Sequence, residues 1–203
     1  MEAPRQAEDL ENALDAGTLF RRHGSFVANF LARLGVARSE LDDVVQDVFM
    51  IAHRRGGFRP GAAKPTTWLA DIAMKVNANR RRSQRRAKVR ADGEAVERAR
   101  DDRASPADIA EHRQSVDRVQ RALESLDEER RAVFVLFEME GESCESIAAG
   151  LGIPVGTVYS RLHHARKKFR KAHSRLAAAD NRVRAVVTVI FLAMAAQAWG
   201  GMS

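Results

Sequence analysis

Within eleven residues near the C-terminal end, the chain carries Thr157, Tyr159, Ser160, Arg161, His163, His164 and Lys167. Hydroxyls, imidazoles and cations at that density could hydrogen-bond base edges and follow phosphates. A second cluster, Trp68, Lys75, Asn77, Asn79 and Arg80, joins one aromatic to amides and cations. Such a set could hold a nucleic-acid strand, the ring stacking on or wedging a base while the cations track phosphates. Stacking of that kind is worth about 1–3 kcal/mol per base. A lone Trp68 reads equally well as a core residue. Cys144, His163, His164 and His173 offer metal-ligand atoms, but without tetrahedral ligand spacing. No glycine-rich phosphate loop, nucleophile elbow or acid–base pair is visible, so the expected chemistry is binding, with no cofactor, and not catalysis.

Both clusters need helices to display them. Leu41, Val44, Val45, Val48, Phe49 and Ala52 recur at helical spacing and mark one buried stripe, with Ser39 placed to cap the start. The opposite stripe is Asp43, Gln46, Asp47 and Met50. It is either solvated or docked on a basic partner helix, and the pattern alone leaves both open. After the loop Phe58-Arg59-Pro60-Gly61, Thr66 or Thr67 can cap a helix through Trp68, Leu69, Ile72, Ala73 and Val76 into an arginine cluster.

Further on, Val119, Leu123, Leu126, Val133, Phe134, Leu136 and Phe137 trace two helices joined near Asp127. Ser143 can cap a short helix over Cys144–Ala149, with Ile147 and Ala148 inward. Gly152 supplies a turn, Ile153 an apolar plug, and Pro154 opens the next helix where its missing N–H costs nothing. Val155, Val158, Leu162, Ala165 and Phe169 are the expected buried stripe of that helix. Short helix, glycine turn and long polar-faced helix form the helix-turn-helix plan, whose second helix enters the major groove.

Charge and composition agree with a polyanion partner. The 203 residues hold 34 Lys and Arg against 27 Asp and Glu, a formal charge of +7. Acid-rich and acid-free stretches alternate. No acid lies between Asp71 and Asp92, nor from Ser146 to Ala179. That pattern suggests two modules, each with a basic face; two solvated basic helices are the plainer alternative. Sparse aromatics, at 6%, favour helices, and no segment shows sustained strand alternation. A single cysteine excludes an intrachain disulfide framework and fits a reducing cytosol. The polar, acidic N-terminus does not read as a secretory signal. Residues 91–112, rich in charge and containing Ser105-Pro106, read as a flexible linker. The uncharged tail AVVTVIFLAMAAQAWGGMS is apolar on every side over Val186–Met194. Its expected acceptor, through residues 185–199, is a membrane or a partner protein, with a disordered tail as the remaining reading.

The motif Asp43-Val44-Val45-Gln46-Asp47-Val48-Phe49, followed by Phe58-Arg59 and Thr67-Trp68-Leu69, resembles the second conserved region of bacterial sigma factors. Ala122-Leu123-Glu124-Ser125-Leu126, Gly141-Glu142-Ser143 and the run from Ile153 to Arg166 are similar to the fourth region. With only these two regions, the chain resembles the small extracytoplasmic-function (ECF) type. The resemblance implies an all-α chain of two small helical domains, 16–90 and 113–177, joined by the linker and flanked by an N-terminal extension (1–15) and the tail (178–203). It implies a cytoplasmic transcription initiation factor that binds core RNA polymerase and promoter DNA and is held by an anti-sigma factor. Asp43, Gln46, Asp47 and Met50 would dock on the polymerase. Phe58, Trp68, Lys75, Asn79, Arg80 and Arg82 would meet the −10 element. Thr157, Tyr159, Ser160, Arg161, His163, His164 and Lys167 would read the −35 element. Lys75 stands where many relatives carry asparagine, and Tyr159 and His163 also depart from the usual residues, so the family's promoter sequence is not carried over. The rivals are a stand-alone helix-turn-helix regulator, which would not need the acidic stripe, and an enzyme or metal protein using Cys144 and the histidines.

Overall fold

The computed structural model describes residues 13–90 and 107–200, with side chains assigned for 13–86 and 114–180. Among the described residues the regular structure is helical, apart from a single antiparallel bridge between Leu14 and Phe58, and turns and loops join the helices. The helices are α1 (Ala16–Arg33), α2 (Arg38–Arg54), α3 (Pro65–Arg90), α4 (Ala107–Glu124), α5 (Glu128–Phe134), α6 (Cys144–Leu151) and α7 (Val155–Gly200). A five-residue π-helical turn, Val135–Met139, continues α5.

Asp15 caps α1: its carboxylate accepts from the Thr18 backbone N–H at 2.9 Å, and this bond is the main cause that holds its pKa below the usual value. At the other end of α1, Val36 N–H returns to Leu31 O and Gly35 N–H to Ala32 O, with Gly35 at φ +91°. This Schellman closure leaves Ala37 as the last extended residue. Helix α2 therefore starts at Arg38, and Ser39 lies inside its first turn and not at the cap the sequence suggested.

The packing forms two compact units. The first contains α1, α2, α3, α5, the π turn, α6 and the start of α7, through Arg166. Leu19, Val27, Phe30 and Leu31 of α1 are buried in it. So are Val44, Val45, Val48, Phe49 and Ala52 of α2, and Leu69, Ile72 and Ala73 of α3. Ala132–Leu136 and Ile147 add the second cluster of buried apolar side chains. Burying each large one contributes about 1.5–3 kcal/mol. The second unit contains α4 and the rest of α7, where Leu123 is buried and Arg118 pairs with Asp180 at 3.2 Å.

Three expectations need amendment. From Ala107 the expected linker is already helix α4, and its earlier part lies outside the described residues. Val155 is 41% exposed, because the buried stripe of α7 begins only at Val158, one turn into the helix. The apolar tail is the continuation of α7 to Gly200. Among the described residues no helix is long and apolar enough to cross a membrane, which leaves the expected membrane contact of 185–199 without support.

Candidate polymerase-docking and promoter-binding faces

Because Val44, Val45, Val48 and Phe49 turn inward, α2 must present Asp43, Gln46, Asp47 and Met50 outward, and all four are exposed. Neither Asp43 nor Asp47 is in an ion pair among the described residues. Met50 is 46% exposed, and Phe20 of α1, 54% exposed, stands edge-on to Phe49 with ring centroids 5.1 Å apart. Phe20 was not singled out from the sequence. Periodicity could not have found it, since Phe20 stands seven residues before the buried Val27 and shares its side of the helix.

On α3, Pro65 occupies the first helical position, and Thr67 Oγ1 accepts from Lys64 N–H at 3.2 Å while donating to Lys64 O. Trp68 is half-buried and stands edge-on to Phe58 at 5.8 Å. Phe58 itself is buried, with its backbone paired to Leu14, so its ring braces Trp68 and is not placed for the expected direct contact with DNA. Lys75 is exposed, with Nζ 2.7 Å from Asp71. Asn79 and Arg82 are exposed, and Arg80 is half-buried beside its partner Glu40. Asn77 does not belong with them. It continues the buried stripe of Ala70 and Ala73 at helical spacing, and its side-chain amide donates to Glu128 at 2.8 Å.

The helix-turn-helix is α6, Gly152 and the start of α7. Ser143 Oγ accepts from the Ser146 backbone N–H at 3.1 Å, as its place before α6 predicts. Gly152 takes φ +64°, a left-handed conformation open to glycine at no steric cost, and Ile153 N–H closes the helix end on Ala148 O. Val158, Leu162 and Ala165 fix the inner face of α7. Outward stand Tyr159, Ser160, His163, His164 and Lys167, with Thr157 and Arg161 half-exposed.

Several of these side chains are held by acids of the same region. Tyr159 OH donates to Glu145 at 3.3 Å, Arg161 pairs with Glu129, and Arg166 pairs with Glu138 while lying over the Phe137 ring. Glu145 is held low by its bond to its own backbone N–H and by Ser143, and its charge raises the Tyr159 phenol. Ser160 Oγ donates to Thr157 O. Cys144 is buried in the start of α6, and burial is the first cause that pushes its thiol up. Among the described residues no group of three or more His, Cys, Asp or Glu side chains could hold a metal ion.

Comparison with known proteins joins these faces. The family model for sigma-70 region 2 matches residues 19–87, and that for sigma-70 region 4 matches residues 117–169. The chain is 31% identical over 173 residues to the ECF RNA polymerase sigma-E factor of Escherichia coli, spanning 82% of this chain and 85% of that one. It is also 31% identical over 153 residues to the ECF RNA polymerase sigma factor SigE of Mycolicibacterium smegmatis, covering 75% of this chain but 59% of the relative. Among solved structures, CnrH in complex with the cytosolic domain of CnrY superimposes with a TM-score of 0.53 at 28% identity, over 81% of this chain and 88% of CnrH. The sigma factor RpoE of Bartonella quintana, solved with the anti-sigma factor NepR, shares the fold with a TM-score of 0.60 at 23% identity, over 75% of this chain and 92% of RpoE. The chain belongs to the sigma-70 family as an ECF-type RNA polymerase sigma factor, the class of transcription initiation factor that directs polymerase to promoters.

Proposed function

We propose that this chain docks on core RNA polymerase through Asp43, Gln46, Asp47 and Met50, with Phe20 as an added apolar contact. Its two arms, 16–90 and 113–177, then meet separate promoter elements. On α3, Trp68 wedges or stacks on a −10 base with Phe58 bracing it, while Lys75, Asn79, Arg80 and Arg82 follow the phosphates. The start of α7 enters the −35 major groove, which admits a helix. There Arg161 is suited to a bidentate contact with a guanine edge, and Thr157, Tyr159, Ser160, His163 and His164 line the same approach. Lys167 serves the backbone, where displaced counterions favour binding without regard to sequence. Glu129 and Glu145 hold Arg161 and Tyr159 in the free protein, and the duplex takes their place.

The observation that carries this reading is the coexistence of two faces on one chain. A regulator that only binds duplex DNA has use for the α7 face, but none for exposed acids on α2 that pair with no cation among the described residues. RpoE was solved with the anti-sigma factor NepR, and a protein of that class is the regulator we propose for this chain, acting in the cytoplasm. The test is Trp68→Ala in a polymerase–promoter complex. Permanganate reactivity of −10 thymines should fall at least tenfold while −35 protection persists. Unchanged opening would remove Trp68 from the −10 role.

A further inference from the structure

Among the described residues the large apolar side chains that stand exposed are Phe20, Met50, Val116, Val155 and Tyr159. Phe20 and Met50 belong to the polymerase-facing side, and Val116 lies on α4. Val155 and Tyr159 form a pair. They are four residues apart on α7, 41% and 55% exposed, and that spacing puts them on one face with Cβ atoms about 5–6 Å apart. Val155 is the first residue of α7, and helix-turn-helix proteins bring the first turns of that helix to the base edges. Next to it, Gly156 has no side chain, and a Cβ built there would meet nothing within 4 Å. The backbone beside Val155 is therefore bare and open to close approach by a ligand. The Tyr159 hydroxyl donates to Glu145, and the ring carbons supply the rest of its exposed surface.

The other side chains assigned to this face, Thr157, Ser160, Arg161, His163, His164 and Lys167, are polar or cationic. An apolar pair among them needs an apolar counterpart. In the major groove every base edge presents donors and acceptors, and thymine alone adds an apolar group, its C5-methyl. A donor or acceptor set against Val155 would lose its water and gain no hydrogen bond, which costs free energy. A methyl group loses nothing there and gains the burial. The surroundings favour DNA over a protein as the occupant, because the sequence carries no acid from Ser146 to Ala179 and the pair is continuous with the −35 face.

We infer that Val155 and the Tyr159 ring form an apolar clasp for the C5-methyl group of one thymine in the −35 element, and so fix that base pair in the sequence the chain selects. The inference rests on the proposed entry of α7 into the −35 groove. It adds Val155 to the specificity-determining residues. Helical spacing assigned Val155 to the buried stripe, but that stripe begins at Val158, which leaves Val155 free to meet a base. Cytosine at the same position lacks the methyl group and is disfavoured; 5-methylcytosine restores the apolar contact.

The test uses the full-length chain on core polymerase and the −35 duplex it selects from a random pool. Each thymine is replaced in turn by deoxyuridine, which removes the methyl group alone. At one thymine the change should weaken binding about fourfold, the ~0.8 kcal/mol of one buried methyl at about 1.4 kcal/mol per tenfold. With Val155→Ala, the thymine and uracil duplexes should bind within about twofold of each other at that position, with penalties elsewhere unchanged. Val155 is exposed and alanine suits a helix, so the variant should keep its fold, as thermal melting checks. Tyr159→Ala should reduce the penalty at the same position and at no other. Equal binding of thymine and uracil duplexes throughout, a selected −35 sequence without thymine, or a penalty that survives Val155→Ala would each overturn the clasp. So would a Val155→Ala defect of equal size on every duplex, the mark of a protein partner at this pair. Failure to protect any −35 sequence would instead overturn the proposed function, and the clasp with it.

Discussion

Replacing Asp43 and Asp47 together with lysine isolates the polymerase-docking face from everything else the chain does. Both carboxylates are exposed, one turn apart on α2, and neither is in an ion pair among the described residues. Lysine is at least as good a helix former as aspartate, so the substitution should leave stability within about 0.5 kcal/mol. At a basic partner surface, an exposed ion pair at ~4 Å is worth about 1 kcal/mol in a water-like dielectric. Reversing the sign turns each attraction into a repulsion of similar size, a swing of about 2 kcal/mol per site and ~4 kcal/mol for both. At about 1.4 kcal/mol per tenfold, affinity for core polymerase should fall on the order of 10³-fold. Screening over a Debye length of about 8 Å at physiological salt makes the loss smaller as salt is raised. Fluorescence anisotropy of the labelled chain titrated with core polymerase reads the Kd, and circular dichroism with thermal melting reads the fold. A Kd within threefold of the parent, with fold and melting unchanged, would refute the docking assignment.

Two further outcomes follow from the site geometry. Arg161→Ala should relax preference at one −35 position by about 1–3 kcal/mol, whereas Lys167→Ala should weaken all sequences alike and lower the salt slope by about 1, as selection from randomised duplexes can measure. Burial pushes the His23 imidazole below its ordinary 6.5, with Arg22 adding to the effect, so the unfolded chain binds the proton first on acidification. Stability should therefore be level above pH 6.5 and fall as pH drops from there toward the lowered folded value; denaturant melts of the parent and of His23→Gln, which lacks this slope, check it.

Local chemistry made much of this fold legible. The stripe Val44, Val45, Val48, Phe49 and Ala52 announced both the buried face of α2 and, by subtraction, the acidic face opposite. Ser143 and Gly152 marked the turn of the helix-turn-helix because a hydroxyl cap and a left-handed residue act within a few positions of themselves. What stayed hidden depends on residues distant in the chain. Asn77 read as a DNA contact because its partner, Glu128, lies 51 positions away. Arg131 is buried with its guanidinium donating to the Leu34 carbonyl, 97 positions away, and nothing near it in the sequence marks that burial. Gly150 carried no turn signal, since its lack of a side chain serves the approach of Thr67 and not its own backbone. Ser39 lost the cap to a closure set by Gly35, a tertiary-neutral feature that competing cap rules alone do not rank.

The most direct measurement is transcription from a randomised promoter library by core polymerase, with and without the full-length chain, reading the 5′ ends of the products. An ECF-type factor working through these faces should produce start sites that appear only with the chain present. The templates should share a −35 and a −10 sequence at fixed spacing, and Asp43→Lys/Asp47→Lys should abolish them. A chain that leaves the product spectrum of core polymerase unchanged, while binding duplex DNA on its own, would contradict it.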